Sequence, residues 1–119
     1  PLWQLVKSLF PVWDPQLVHR EFTAALRAQA GRDQAFPAIW DQDFVGVLGR
    51  VQCPLLAVSA SDDFFLPYLE RVKSSHPRAR TAVTGTAKVA SPELDTGGTV
   101  AAIRDFLAAV ESGALTGSR

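Results

Sequence analysis

Apolar residues in the first 50 positions recur at the spacing of amphipathic helices, and three helices are predicted there. The apolar face of the first helix is formed by Leu2, Leu5, Val6, Leu9 and Phe10. This helix is expected to end before Pro11, because proline lacks the backbone N–H that a helix interior needs.

The second helix is predicted to begin with Asp14 as its N-cap and Pro15 as its first residue. Its apolar face carries Val18, Phe22, Ala25 and Leu26. Gly31 is expected to end it, since glycine commonly follows the last helical residue. A third and shorter helix is predicted over residues 39–48, with Gly49 as its stop signal.

From Val51 onward the pattern changes to that of strands. Residues 54–58 form a continuous apolar run of the kind found in strands buried on both faces. Residues 64–74 read as a helix, and residues 81–84 as a second short strand ended by Gly85. A strand, helix and strand of this length imply a parallel pair. Two strands bury little surface, so the pattern predicts that further strands complete the sheet.

The last helix is predicted over residues 99–111. One side of it carries Val100, Ile103, Phe106, Leu107 and Val110. Residues 91–98 are rich in turn formers, and residues 113–119 form a polar tail that is expected to fray. The fold class is therefore α/β, with three helices followed by strand, helix, strand and helix.

Composition narrows the classes of function. Lys plus Arg equals Asp plus Glu at 12 each, which disfavours nucleic acid and anionic membranes as partners. The short basic group Lys73, Arg78 and Arg80 is interpreted as a solvated loop. A single cysteine excludes an internal disulfide. No signal peptide or membrane span is evident, and a cytoplasmic location is expected. The sequence starts at Pro1 and contains no Met, which is compatible with its being the C-terminal part of a longer protein.

Two adjacent carboxylates, Asp62 and Asp63, follow the first strand. Sites of parallel α/β sheets lie at the carboxyl ends of the strands, so one of these groups is a candidate site residue. The alternative is that one of them caps the following helix. A metal site is disfavoured because no third ligand lies at suitable spacing, and no cofactor is expected.

Other reactive side chains are less suitable. Cys53 is interpreted as a small apolar residue at the mouth of the strand, and His19 and His76 as surface histidines. Ser59 and Ser61 flank the strand end but lie outside a Gly-x-Ser-x-Gly turn. The glycine pair at 97–98 does not follow a strand directly, so no phosphate cradle is predicted.

The order of features over residues 41–110 resembles the C-terminal part of an α/β-hydrolase: a helix led by Asp, a Val-x-Cys-Pro strand entry, an apolar strand and an Asp at its end. The resemblance implies a helical lid over 1–50, core over 51–112 and a tail over 113–119. It also implies that Asp63 is the acid of a catalytic triad, with Ala60 where the family usually has Gly.

Two departures from the family accompany the resemblance. Leu94 and Asp95 are similar to the Leu and acid before the closing helix, which puts Ala90 where the catalytic His would stand. The only basic residue in that loop is Lys88, which is the candidate substitute base. The nucleophile and oxyanion hole come earlier in the family, from a part of the fold that this sequence does not contain.

The resemblance implies hydrolysis of a small-molecule ester, thioester or amide if a partner chain or an upstream segment supplies the nucleophile and completes the sheet. Two alternatives remain. One is a hydrolase-like pseudoenzyme that serves as a binding or interaction module. The other is a small α/β domain that completes its sheet across a dimer.

Overall fold

The computed structural model describes residues 2–115. The described part contains seven α-helices and one two-stranded parallel sheet, so the predicted α/β class is confirmed. None of the helices in residues 2–115 has the length and apolar content needed to cross a membrane. The chain divides into two compact units, Pro1–Phe44 and Val45–Arg119.

The first unit contains helices α1 (Leu2–Ser8), α2 (Pro15–Arg27) and α3 (Gln29–Asp41). The predicted start of α2 is confirmed, because Asp14 Oδ1 accepts hydrogen bonds from the N–H groups of Gln16 (2.9 Å) and Leu17 (3.0 Å). These bonds satisfy donors that a helix N-terminus otherwise leaves unpaired.

The interior of this unit combines aliphatic and aromatic packing. Its buried apolar residues are Val6, Phe10, Leu17 and Val18. The Trp3 ring packs edge-on against Phe22 at 5.1 Å and against Trp13 at 5.9 Å between ring centroids. Edge-to-face pairs of this kind add to the stabilisation that burial provides.

Two predicted boundaries in this region are wrong. The second helix ends at Arg27, and α3 then runs through Gly31 and Pro37. A glycine costs a helix only about 1 kcal/mol, so it does not by itself force an end. The predicted helix over residues 39–48 is interrupted at Gln42, whose backbone is extended, and α4 (Phe44–Gly49) follows. Four helices rather than three therefore precede the first strand.

The second unit contains most of α4 and every later element. The elements in chain order are β1 (Leu56–Ala60), a 3-10 turn (Leu66–Tyr68), α5 (Leu69–Ser75), β2 (Arg80–Thr84), a second 3-10 turn (Lys88–Ala90), α6 (Ser91–Leu94) and α7 (Thr96–Glu111). The predicted helix over residues 64–74 is thus a 3-10 turn that leads into α5.

The two strands pair in parallel, as predicted, from Leu56 opposite Arg80 to Ala60 opposite Thr84. The first strand begins two residues after the start of the apolar run. Pro54 has no N–H to donate, and the first bond between the segments is from Arg80 N to Leu55 O (2.9 Å).

Burial within the sheet is concentrated at its carboxyl edge. Ser59, Ala60 and Thr84 are buried there, whereas Val58 is 37% and Val83 is 57% exposed. Because Val83 pairs with Ser59, the residue after Val58, the two valines lie on opposite faces. Within residues 2–115, β1 is therefore buried only toward its carboxyl end, and full burial would need elements beyond the two strands described.

The closing helix α7 begins at Thr96, earlier than predicted, because Asp95 caps it. Residues 91–98 are thus α6 and the start of α7 rather than a turn-rich loop. Phe106 and Val110 are partly buried, but Val100, Ile103 and Leu107 are 38–49% exposed and form a stripe of their own. The apolar residues of α7, predicted to share one buried side, therefore fall into a partly buried group and an exposed group. The polar tail lies partly outside the described residues, which end in a turn at Leu115.

Candidate functional site

The loops that follow β1 and β2 lie side by side at the carboxyl edge of the sheet. Parallel, neighbouring strands deliver their following loops to the same edge. Beyond the last strand pair, the Ser61 N–H contacts both Thr84 O (3.2 Å) and Gly85 O (3.3 Å). The edge at which the sequence predicts a site is therefore formed by two loops in direct contact.

Asp62 links these two loops. Its Oδ1 accepts hydrogen bonds from Ala87 N (2.9 Å) and Lys88 N (2.8 Å). The backbone N–H of Lys88 is the largest cause that lowers the pKa of the Asp62 carboxyl, and the N–H of Ala87 and the Lys88 charge act in the same direction. The resemblance implies a catalytic role for the neighbouring Asp63, whereas the aspartate that joins the two loops is Asp62.

Asp63 makes a local contact instead. It is partly buried, and its Oδ1 accepts a hydrogen bond from Phe65 N at 2.9 Å. Its backbone carbonyl accepts from Leu66 N (3.1 Å), the first residue of the 3-10 turn. Asp63 therefore makes a local turn contact rather than the helix cap considered for one of the two aspartates, because Phe65 is the N-cap of the 3-10 turn and no side chain caps it. In residues 2–115, no hydrogen bond engages its second carboxylate oxygen.

Lys88 has the only positive φ among the non-glycine residues of the described part, at 45°. Such a backbone is uncommon for a residue with a side chain, and it needs support from its surroundings. The bond from its N–H to Asp62 supplies that support. Within residues 2–115, Lys88 forms no ion pair with Asp63. Lys88 therefore lies at the carboxyl edge, but its backbone N–H binds Asp62 rather than Asp63.

Ala90 occupies the position where the resemblance implies a histidine. It is buried, and its N–H donates to Ala87 O (2.9 Å) within the second 3-10 turn. A methyl group enclosed in this way supplies neither a base nor room for one. His19 is exposed, as predicted. His76, predicted to be a surface residue, is buried instead, because it follows α5 and precedes β2 at the amino edge.

Asp95 is a third carboxylate at the carboxyl edge, and its role was missed. Its Oδ2 accepts from Gly85 N (2.6 Å) and its Oδ1 from Gly98 N (3.1 Å). It thereby connects the end of β2 with the first turn of α7. The signal available in the sequence was an Asp immediately before a helix start, which is a typical N-cap.

The buried hydroxyls of Ser59 and Thr84 at this edge are already engaged. Thr84 Oγ1 lies 3.0 Å from Ser91 Oγ and 3.5 Å from Ser59 O. The Ser59 hydroxyl donates to Ala60 O (3.4 Å). These contacts satisfy polar groups in a buried setting, which is a structural role.

No cluster of three potential metal ligands occurs in residues 2–115. Cys53, interpreted as a small apolar residue at the mouth of the strand, is exposed. It comes before Pro54, outside the ladder, where one parallel pair covers little of the amino edge.

Comparison of this chain with protein-family models, with curated proteins and with solved structures finds no match. Function is therefore inferred from the chemistry of the residues described above.

Proposed function

We propose that the chain is the C-terminal portion of an α/β-hydrolase-like protein and that it acts as a binding or interaction module rather than as a complete catalyst. The observation that carries the proposal is the pair of loops joined by Asp62 at the carboxyl edge, with Ala90 buried at the position of the expected base. A parallel pair with a helical crossover and a closing helix agrees with that fold.

The non-catalytic role follows from the groups at the edge. Triad chemistry needs a base between the nucleophile and the acid. Lys88, the basic residue of the loop after β2, has its backbone N–H bound to Asp62, and the Asp63 carboxylate accepts a bond from Phe65 N. The three carboxylates of this edge accept hydrogen bonds from backbone N–H groups: Asp62, Asp63 and Asp95. These bonds hold the loops in place, so that a small molecule or a peptide can bind on them.

Hydrolysis of an ester, thioester or amide is the second candidate function. It is favoured by one observation: Asp63 keeps an unengaged carboxylate oxygen at the carboxyl edge, where the acid of a triad would stand. In this reading a partner chain or an upstream segment brings the nucleophile, the base and the neighbouring strands. Asp63 would then orient the base through that oxygen.

Turnover of p-nitrophenyl acetate separates the two functions when it is measured on the chain reconstituted with an upstream segment or partner chain, because neither reading gives the chain alone a nucleophile. The reconstituted protein and its Asp63→Asn variant are expected to hydrolyse this ester equally slowly. The Asp95→Asn variant is a matched control, because Asp95 is also a carboxylate of this edge but only caps backbone. If the reconstituted protein turns the ester over and Asp63→Asn alone abolishes turnover, the binding role is overturned in favour of hydrolysis.

A further inference from the structure

The amino edge of the sheet, opposite Asp63, holds a cleft that the proposed function does not use. Two adjoining cavities of about 330 and 570 Å³ share Gln52, His76, Pro77 and Arg78 in their walls. Cys53 lines the first cavity and Arg50 the second. We call the two together the amino-edge cleft.

His76 is the buried polar group of this cleft. It is only 6% exposed, and its backbone is fixed by bonds from its N–H to Val72 O (2.8 Å) and from Ala79 N to its carbonyl (2.8 Å). Its imidazole has no hydrogen-bond partner in residues 2–115. The one side-chain nitrogen or oxygen there that is both sealed from solvent and unpartnered is Thr99 Oγ1. The ring nitrogens of His76 are therefore not fully sealed from solvent, and the residue lines both cavities of the cleft.

The charge in the cleft is positive. Arg50 and Arg78 are exposed, and neither guanidinium group has a hydrogen bond or an ion pair within the described residues. No Asp or Glu is among the described residues that line either cavity. A guanidinium group presents several N–H donors in a plane that matches a carboxylate or phosphate group.

The partial negative charge at the C-terminus of α5 opposes the binding of an anion in the cleft, but this charge is small. Ser75, the last residue of α5, lines the cleft, and a helix C-terminus carries at most about half a negative charge. Two full guanidinium charges exceed this. Pro54 and Leu115 add an apolar wall to the first cavity.

We propose that the amino-edge cleft binds a small organic oxyanion, with the carboxylate or phosphate group on Arg50, Arg78 and His76. The apolar part of the ligand lies against Pro54 and Leu115. The site does not depend on the proposed function, because it shares no residue with the carboxyl edge.

Cys53 provides the test, since it is the only cysteine of the chain, it is exposed and it lines the cleft. Alkylation of the full chain by iodoacetamide is followed with phenyl phosphate, benzoate or inorganic phosphate present, at constant ionic strength. The aromatic anions are expected to slow alkylation several-fold. Benzamide, which is similar in shape to benzoate but neutral, is expected to have no effect.

The double variant Arg50→Gln/Arg78→Gln is expected to lose this protection, whereas Arg80→Gln keeps it. Arg80 is an exposed arginine of the same unit and does not line the cleft. Both variants change exposed side chains, so unchanged thermal melts are expected. The His76 ring nitrogen resonances, followed by NMR during the same titrations, give a second readout.

The site is supported if the anions protect Cys53 from alkylation, or shift the His76 resonances, and if this effect disappears in the double variant. The anion with the larger effect shows whether the site prefers a carboxylate or a phosphate group. The absence of both effects overturns the proposal. Equal protection by benzamide, or protection that survives in the double variant, also overturns it.

Discussion

The side chain of Asp62 accepts a hydrogen bond from the backbone N–H of Lys88 at 2.8 Å, across 26 positions of the sequence. The same oxygen also accepts from Ala87 N at 2.9 Å. One carboxylate thus determines how the loop after β2 lies against the loop after β1. It also supports the positive φ of Lys88.

Removal of the Asp62 carboxylate is expected to destabilise the protein more than removal of the Asp63 carboxylate. Asp62→Ala loses two bonds between separate loops, and Asp63→Ala loses one local bond to Phe65 N. Thermal unfolding followed by circular dichroism is expected to show the larger fall in Tm for Asp62→Ala. Equal Tm values for the two variants would exclude the linking role.

The same carboxylate makes stability depend on pH. Its folded-state pKa is lowered, chiefly by the Lys88 N–H, so its contribution is present above the unfolded pKa of about 4. The contribution decreases as the pH falls from about 4 through the lower folded value. Urea unfolding between pH 6 and pH 3 is expected to show a smaller loss of stability for Asp62→Asn than for the unchanged chain. Parallel curves for both proteins would contradict this assignment.

The adjacent glycines of α7 are expected to respond in opposite ways to alanine. A Cβ at Gly98 would clash with the Asp95 carboxylate, whereas a Cβ at Gly97 meets nothing within 4 Å. Gly98→Ala is expected to destabilise by about 1–2 kcal/mol through overpacking. Gly97→Ala is expected to stabilise by about 0.5–1 kcal/mol through helix propensity. Urea unfolding measures both, and a gain for Gly98→Ala would show that the Asp95 cap moves freely.

The second unit is expected to bind a hydrophobic dye such as ANS. Val58 and Val83 are exposed on opposite faces of the sheet, and Ile103 and Leu107 are exposed on α7. Patches of this kind usually lie in interfaces or binding surfaces. Leu107→Lys is expected to reduce dye fluorescence while it changes stability by less than about 0.5 kcal/mol.

Phe106→Ala is the matched variant on the inward side of α7. Phe106 is partly buried, so its truncation is expected to lower Tm clearly and to increase dye binding. A cooperative melt without any dye binding by the unchanged chain would show that these apolar residues are covered.

The helix cap in the first unit gives a separate stability test. Asp14→Ala removes two bonds to the start of α2 and is expected to cost about 1 kcal/mol. Asp33→Ala, an exposed change inside α3, is expected to be neutral or slightly stabilising because alanine favours helices. The free energy of unfolding from urea titrations compares the two variants.

The sequence predicted those element boundaries that depend on residues close to each other in the chain. Asp14 with Pro15 located the start of α2, and Gly85 located the end of β2. The parallel pairing followed from the length of the crossover. The prediction that Gly31 ends a helix was wrong, because a helix tolerates a single glycine when no other feature ends the helix there.

Features that depend on contacts between distant residues could not be predicted in the same way. The choice of Asp62 over Asp63 depends on where the loop carrying Ala87 and Lys88 lies, and this is fixed only after the strands pair. The burial of His76 and the exposure of Cys53 likewise depend on how α5 and the strands leave the amino edge. The sequence favoured a surface position for His76, which the packing of these elements overturns.

The 25- and 26-residue reach of the Asp62 bonds has a consequence for the order of folding. Neither bond can form until α5 has brought β2 alongside β1, and the strand ladder has the same requirement. Both must await one loop closure, whose entropic cost rises only slowly with length. The loop closure that pairs the strands therefore also brings the two loops of the carboxyl edge together, so the Asp62 bonds require no second closure of the chain.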